Sequence, residues 1–556
     1  MKRSVLTTIL LSLAFVLVAQ ERYVNPVLHM DYSDPDVCRV GDDYYMTASS
    51  FNCFPGLPIL HSRDLVHWTL VGSALTDYPG PDWDGDREVF HKSVQHGNGV
   101  WAPAIRFHEG WFYIFCGDPD RGIFMVKTQD PCGRWEDPVW VVKAKGFIDP
   151  CPLWDEDGRA WLSHAAAGSR AGLKSVIFVA PMSPDGTHLL GPSCIVFDGH
   201  RTQPTIEGTK FYRRNGLYYI FAPAGGVSAG WQTVLRANDP FGPYEERIVM
   251  AAAEGTINGP HQGGWVETPS GESWFLHFQD KGAYGRIVHL QPMTWREDGW
   301  PLIGEDPDGD GVGQPVASWP APYRVIPGQV RNDDQRQARP DRVSQGPYGL
   351  PMEWQYPAVP SPYWHYALPG GGIRLYSVVQ ASGDDLWNCP NLLLHKFTAE
   401  RFSVSARLCF HPNPQLDVRG ETAGFLVSGD DMAGFLLTDG ESGATLCSFD
   451  CLEASGRQMG KGPELAFFSY DDSREVTLWV RLEVRAWPTD TPVPEAMCYF
   501  FYSQDGEHYK RLDFPFKARP ESWIGAKFGF FCNRPAPKND AGWLDILDLT
   551  INNNPR

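Results

Sequence analysis

Apolar positions along this chain come in short runs rich in Val, Ile, Tyr, Phe and Trp, broken by Gly, Pro, Asp and Asn. Helical periodicity is almost absent, so the pattern predicts an all-β protein of many short strands joined by turns. Five of the runs share a form, a Gly followed closely by an aromatic strand: residues 41–46 (GDDYYM), 110–114 (GWFYI), 158–162 (GRAWL), 216–220 (GLYYI) and 271–275 (GESWF). A second echo follows three of them, an Asp with an aromatic four or five residues on: Asp64 with Trp68, Asp130 with Trp135, Asp239 with Tyr244. The third repeat departs, carrying only PMSPDG at 181–186. Repeats of this length, each with several strands, predict the blades of a five-bladed β-propeller over residues 20–317.

Residues 318–349 change character, being rich in Pro, Arg, Asp and Gln, and read as a connection. Strand-like segments resume after it, among them residues 372–379, 402–410, 423–428, 476–484, 525–532 and 543–551. Polar turns at intervals predict an antiparallel β-sandwich over 350–556. The first residues differ again. Lys2 and Arg3 precede an apolar stretch from Leu6 to Val18 and small residues at Ala19, the layout of a signal peptide over 1–19 with export to a periplasm or the outside. No second long apolar run exists, so no membrane span is expected.

Composition narrows the partners. With 48 Lys and Arg against 67 Asp and Glu the net charge is −19, which disfavours nucleic acid and anionic membranes and leaves a neutral substrate easier to accommodate. Aromatics make up 13% of the chain, suited to β packing and to stacking on sugars. The twelve Cys form no CxxC pair, so a zinc site is not expected; their pairing and the oligomeric state are not legible.

Counting back 11 to 13 positions from the aromatic of each run gives Asp34, Trp101, Asp149, Glu207 and His261. Each alone has an ordinary structural use: an Asp-Pro turn, a core Trp, a hydrogen-bonded interior His. Together, at one place in a repeating β unit, they are expected to converge at one end of the propeller channel. Facing carboxylates are costly to bury unless they are used. Three carboxylates beside an aromatic wall suit cleavage of a glycosidic bond: one donates a proton to the leaving oxygen, one activates water or attacks carbon, and a third holds the acid's pKa high.

The same residues carry a family resemblance. Residues 25–68, together with GVWAPAIRFHEGWFYI, GFIDPCPLWDEDGRAWL, TIEGTKFYRRNGLYYIFAPAGG and GPHQGGWVETPSGESWF, resemble glycoside hydrolase family 43 throughout the first part and more loosely in the second. The resemblance implies an inverting, exo-acting enzyme of β-xylosidase or α-L-arabinofuranosidase type with a concanavalin-like C-terminal sandwich. Asp34 would be the general base, Glu207 the general acid, and Asp149 the group that tunes and orients the acid. Phe51 and Trp101 would wall the sugar pocket, and Arg286, in YGRIVHLQPMTW, would contact substrate hydroxyls. The substrate implied is a neutral pentose-containing oligo- or polysaccharide. No cofactor is required, although His261 matches a His that in some members holds a structural calcium ion at the propeller axis. The chain differs near Asn52 and Cys53, where xylosidase-like members carry bulkier residues, so the choice between xylose and arabinofuranose stays open.

Two other readings fit parts of the pattern: a retaining fructan-type hydrolase with Asp34 as nucleophile, and a non-catalytic sugar-binding propeller. One more motif, Asp306-Pro-Asp308-Gly-Asp310-Gly311, has the acidic spacing of a calcium loop, but its twelfth position is Ala317 and an acidic surface turn is favoured.

Overall fold

The computed structural model describes residues 21–76, 94–252, 257–322, 349–359, 363–380, 385–414, 419–453, 459–513, 515–537 and 539–553. The signal-like segment and most of the 318–349 connection lie outside them. Five four-stranded sheets follow one another, each in plain meander order. Their first strands are Asp36–Val40, Trp101–His108, Phe147–Trp154, Lys210–Arg214 and His261–Glu267, and their last are Thr69–Leu75, Val139–Lys143, Cys194–Asp198, Glu245–Ala251 and Pro301–Ile303. This is the expected propeller, and each aromatic run is the second strand of its blade. Those second strands are buried on both faces, Ala160–Ala166 along its whole length, which explains why they read as continuous apolar runs rather than alternating ones.

The second echo has a structural cause. Each Asp-aromatic turn joins the third strand of a blade to its outer strand. The ring donor bonds back to a nearby carbonyl: Trp68 Nε1 to Leu65 O (2.8 Å), Trp135 Nε1 to Pro131 O (3.4 Å), Tyr244 Oη to Pro240 O (3.0 Å). The Asp side chain accepts backbone N–H groups at the start of the same turn.

The ring is tied shut by its N-terminal segment. Arg22–Val24 pairs with Ser318–Pro320, and Val27 and Leu28 exchange backbone bonds with Val288 of the fifth blade. The inner strands of the first two blades are joined by an ion pair, half-buried Arg106 to buried Asp36 at 2.6 Å. Ile105 N also donates to Asp36, and Arg106 contacts the Cys151 thiol and lies over the Tyr212 ring.

The C-terminal part is a sandwich of two eight-stranded sheets. Strands of one sheet alternate between buried and half-exposed positions, as in Val476–Trp487, whereas Thr422–Ser428 and Lys527–Arg534 of the other are buried almost throughout, because that sheet is covered on both faces. One expectation is corrected: residues 372–379 are not a single strand. Ile373–Tyr376 belongs to one sheet, and Val378–Val379 crosses to the other, where it pairs parallel with Asn533 and Arg534. Buried Ser377 marks the crossing, its hydroxyl donating to Glu421. The largest apolar cluster runs through both units, joining Tyr45, Phe54 and Tyr284 of the propeller to Trp354, Phe528 and Phe530 of the sandwich. All twelve Cys are free thiols. The 306–311 motif is an exposed turn whose Asp306 carboxylate accepts the N–H groups of Gly309 and Gly311. Among the described residues no helix is long and apolar enough to cross a membrane.

Candidate active site

Asp34, Trp101, Asp149, Glu207 and His261 do converge. They line one mouth of the channel, in a cavity of about 170 Å³, together with Phe51, Gln262, Arg286 and Trp523. A wider opening of about 360 Å³, lined by Arg39, Trp154, Trp265 and Glu267 among others, is the opposite mouth and holds none of these five.

The backbone aims these side chains inward by local irregularity. The ladders of blades two, three and five slip at Trp101/Ala104, Ile148/Cys151 and His261/Gly263. A bulge at the head of a strand turns a side chain out of the regular alternation. Asp34 and Asp149 also adopt positive φ, 53° and 56°. Asp tolerates that conformation, and it points both carboxylates across the mouth rather than along their strands.

Asp34 is buried and well bonded: Ser49 Oγ donates to Oδ2 at 2.5 Å and Arg286 Nη1 donates to Oδ1 at 3.2 Å. Two donors and an adjacent cation hold an ionised carboxylate in place. Asp149 is buried and accepts the backbone N–H of Gly208 at 2.8 Å, which fixes the residue directly after Glu207. Burial pushes the Asp149 carboxyl well above the usual range, and the Asp34 charge pushes the same way against the pull of Gly208, Lys210 and Arg286. Glu207 keeps 27% of its side chain open to the cavity. Its pKa too is raised, by burial first and then by the charges of Asp149 and Asp34. The site therefore contains one carboxylate held by donors and two carboxyls driven to keep their protons, of which Glu207 opens to the cavity, a division of labour that suits acid–base hydrolysis.

His261 lies behind Glu207, Nε2 to Oε1 at 3.8 Å, and neither ring nitrogen has a hydrogen-bond partner among the described residues. Burial, helped by Arg286, lowers its pKa to about 3, so the ring is neutral. Calcium takes six to eight oxygen ligands. Among the described residues no group of three or more His, Cys, Asp and Glu is placed to hold a metal, and one imidazole does not fit calcium as a direct ligand.

The walls are aromatic. Phe51 is buried with φ 53°, and half-buried Trp101 is pinned by its Nε1 donating to Gly97 O at 2.8 Å. Arg286 lies between the Phe278 ring (4.6 Å to the centroid) and the Trp523 ring (5.4 Å). Trp523 was not anticipated: it comes from the sandwich, sits edge-on to Trp101 at 6.4 Å and completes the wall. Nothing local in the sequence marks it, because its role depends on contact with residues some four hundred positions earlier. Ser49, which holds Asp34, was missed as well.

A propeller whose mouth joins an ionised carboxylate, a proton-retaining carboxyl and aromatic walls, closed by a sandwich, defines a carbohydrate-cleaving enzyme. Residues 23–301 match the family described as glycosyl hydrolases family 43, and residues 347–547 match the β-xylosidase C-terminal concanavalin A-like domain. The chain is 33% identical over 509 residues to a putative β-xylosidase of Xylanibacter ruminicola, covering 91% of this chain and 85% of that protein. It is 30% identical to a non-reducing end α-L-arabinofuranosidase of Bacteroides ovatus, covering 77% and 78%. The crystal structure of a xylan β-1,4-xylosidase from Bacillus halodurans shares the fold with a TM-score of 0.76, at 22% identity over 95% of this chain and 99% of that one. The protein belongs to glycosyl hydrolase family 43 and is a glycosidase.

Proposed function

We propose that this glycosidase removes single xylose or L-arabinofuranose units from the non-reducing ends or side branches of plant cell-wall polysaccharides, with inversion at the anomeric carbon. The observation that carries the reading is the pairing of Asp34, held by Ser49 and Arg286, with Glu207, whose proton is retained by burial and by Asp149. Asp34 takes a proton from water as the water's oxygen bonds to the anomeric carbon. Glu207 gives its proton to the glycosidic oxygen as that bond breaks. Asp149 acts on Glu207 through its charge and through the Gly208 N–H. The small cavity, walled by Phe51, Trp101 and Trp523, suits one sugar ring and favours chain ends over chain interiors. The names carried by the relatives support both pentoses.

No step of this reading passes through a metal. The use of the His261 ring that the resemblance suggests is to hold a calcium ion, directly or through water. Glu207→Gln is the direct test: hydrolysis of an unactivated xylosyl or arabinosyl oligosaccharide should fall by about 10²- to 10⁴-fold. Near-normal turnover would remove Glu207 from its role. NMR of the first-formed sugar should show the inverted anomer; retention would instead support the fructan-type mechanism with Asp34 as nucleophile.

A further inference from the structure

Asp31 precedes Asp34 by three residues and is buried. Its two carboxylate oxygens face two different domains. Oδ1 accepts the backbone N–H of Arg286 at 2.9 Å, with a longer bond from Ser33 Oγ at 3.4 Å. Oδ2 accepts the backbone N–H of Gly525 in the sandwich, also at 2.9 Å. The Asp31 carbonyl in turn accepts from the buried ammonium of Lys396, which lies 3.8 Å from the centroid of the Tyr32 ring.

The two N–H groups belong to segments that carry two adjoining parts of the cavity lining, Arg286 and Trp523. Arg286 is the residue that donates to Asp34. Gly525 stands two residues after Trp523. The approach is tight enough to require glycine: a Cβ on Gly525 would meet Gly285 Cα at 2.7 Å, and a Cβ on Gly285 would meet Asp31 Cβ at 2.4 Å. The Trp523 loop is held on its other side by Glu521, whose Oε1 lies 2.7 Å from His96 Nδ1, and Ala526 N donates to Ala283 O at 2.8 Å. Between these tethers Trp523 has φ 67°, a left-handed conformation that a bulky side chain keeps only where its surroundings impose it.

We propose that Asp31 is a positioning residue that sets the Arg286 guanidinium beside Asp34 and the Trp523 wall of the sandwich with a single carboxylate. The assignment rests on the reading of this cavity as the hydrolytic site. Both of its 2.9 Å bonds go to backbone N–H groups, so side-chain changes at Arg286 or Trp523 leave the tether intact, whereas replacing one carboxylate oxygen by a donor sets it against a backbone N–H and loosens both segments. A buried carboxylate bonded to both units is also how a domain without catalytic groups of its own can affect turnover.

The test is a set of variants assayed on an oligosaccharide that the wild-type enzyme hydrolyses, with active-site concentration and Tm measured for each. Asp31→Asn keeps the shape but replaces one acceptor by a donor; KM should rise about tenfold and kcat should fall by about tenfold or more. Glu521→Gln, which loosens the loop alone, should raise KM severalfold with kcat within about twofold of wild type. In a Trp523→Ala background the KM effect of Asp31→Asn should disappear while its kcat effect persists, because the Arg286 arm is untouched. The proposal is overturned if Asp31→Asn lowers Tm or the active fraction but leaves KM and kcat per active site unchanged. It is equally overturned if the KM effect survives in full without Trp523. Failure of the wild-type enzyme to release pentose would instead remove the proposed function, so the two failures are separable.

Discussion

Removing the charge of Asp149 tests the electrostatics of the site without changing its shape. Asp149→Asn keeps an acceptor for the Gly208 N–H, so the residue beside Glu207 stays in place. What is lost is the nearest like charge acting on Glu207, second only to burial in raising its pKa. A general acid works only while protonated, and the basic limb of the kcat/KM profile reports the loss of its proton. With Asp149 neutral, Glu207 gives up its proton sooner, and that limb should move to lower pH by about 1 unit or more, corresponding to about 1.4 kcal/mol per unit. Below the shifted limb kcat should fall only modestly, whereas Asp149→Ala, which also drops the Gly208 bond, should lose more.

Stability should change in the matching direction. Asp149 and Glu207 both have folded pKa values raised above the unfolded ones, so between the ordinary carboxylate range and neutrality the folded state binds more protons. Stability then falls as pH rises through that window. Asp149→Asn removes one such group, so its Tm should exceed that of the wild type near pH 8 and converge with it near pH 4 in thermal melts. A basic limb that stays put or moves upward would refute the coupling of Asp149 to the acid, and a Tm difference greatest at acid pH would refute the sign of its shift.

Further outcomes follow from the walls, the interface and the amino terminus. Arg286→Lys leaves a cation but loses the planar fork that reaches Asp34 from between two rings, and kcat/KM should fall by about 10²-fold in steady-state assays. Trp101→Ala should raise KM by about tenfold while kcat changes less, because the ring forms a wall and carries no group that transfers a proton. Phe528→Ala removes a fully buried ring packed against Trp354 and Phe402 and should cost about 3–5 kcal/mol in denaturant unfolding. If residues 1–19 act as an export signal, the full chain expressed in an exporting host should be cut near Ala19 and Gln20, which N-terminal sequencing of the product would show.

The blades were legible because a propeller repeats one local unit, and local units write their turns and apolar runs into contiguous sequence. The Gly-aromatic runs mark second strands, and the Asp-aromatic echo marks the turn before the outer strand in three of the five blades. The site residues could be found by counting, since side chains at equal offsets in a ring of like sheets must face the same axis. The offset nonetheless varied from 11 to 13, and the structure shows bulges in three of the five first strands, beginning at or beside Trp101, Asp149 and His261. The sandwich was harder to read. Residues 372–379 look like one strand, and only the pairing of Val378 and Val379 with the opposite sheet shows the crossing at Ser377.

The sequence by itself determined the five-fold β repeat, the three carboxylates and the end of the channel they share, because each depends on short-range pattern multiplied by symmetry. Tertiary structure alone decided which carboxyls keep their protons, how Asp34 is held by Ser49 and Arg286, and that from the other domain Trp523 reaches the cavity and Gly525 reaches Asp31. Desolvation and charge coupling act through space and fall off within a few ångströms, so they are fixed by which surfaces are pressed together. No pattern along the chain records that contact.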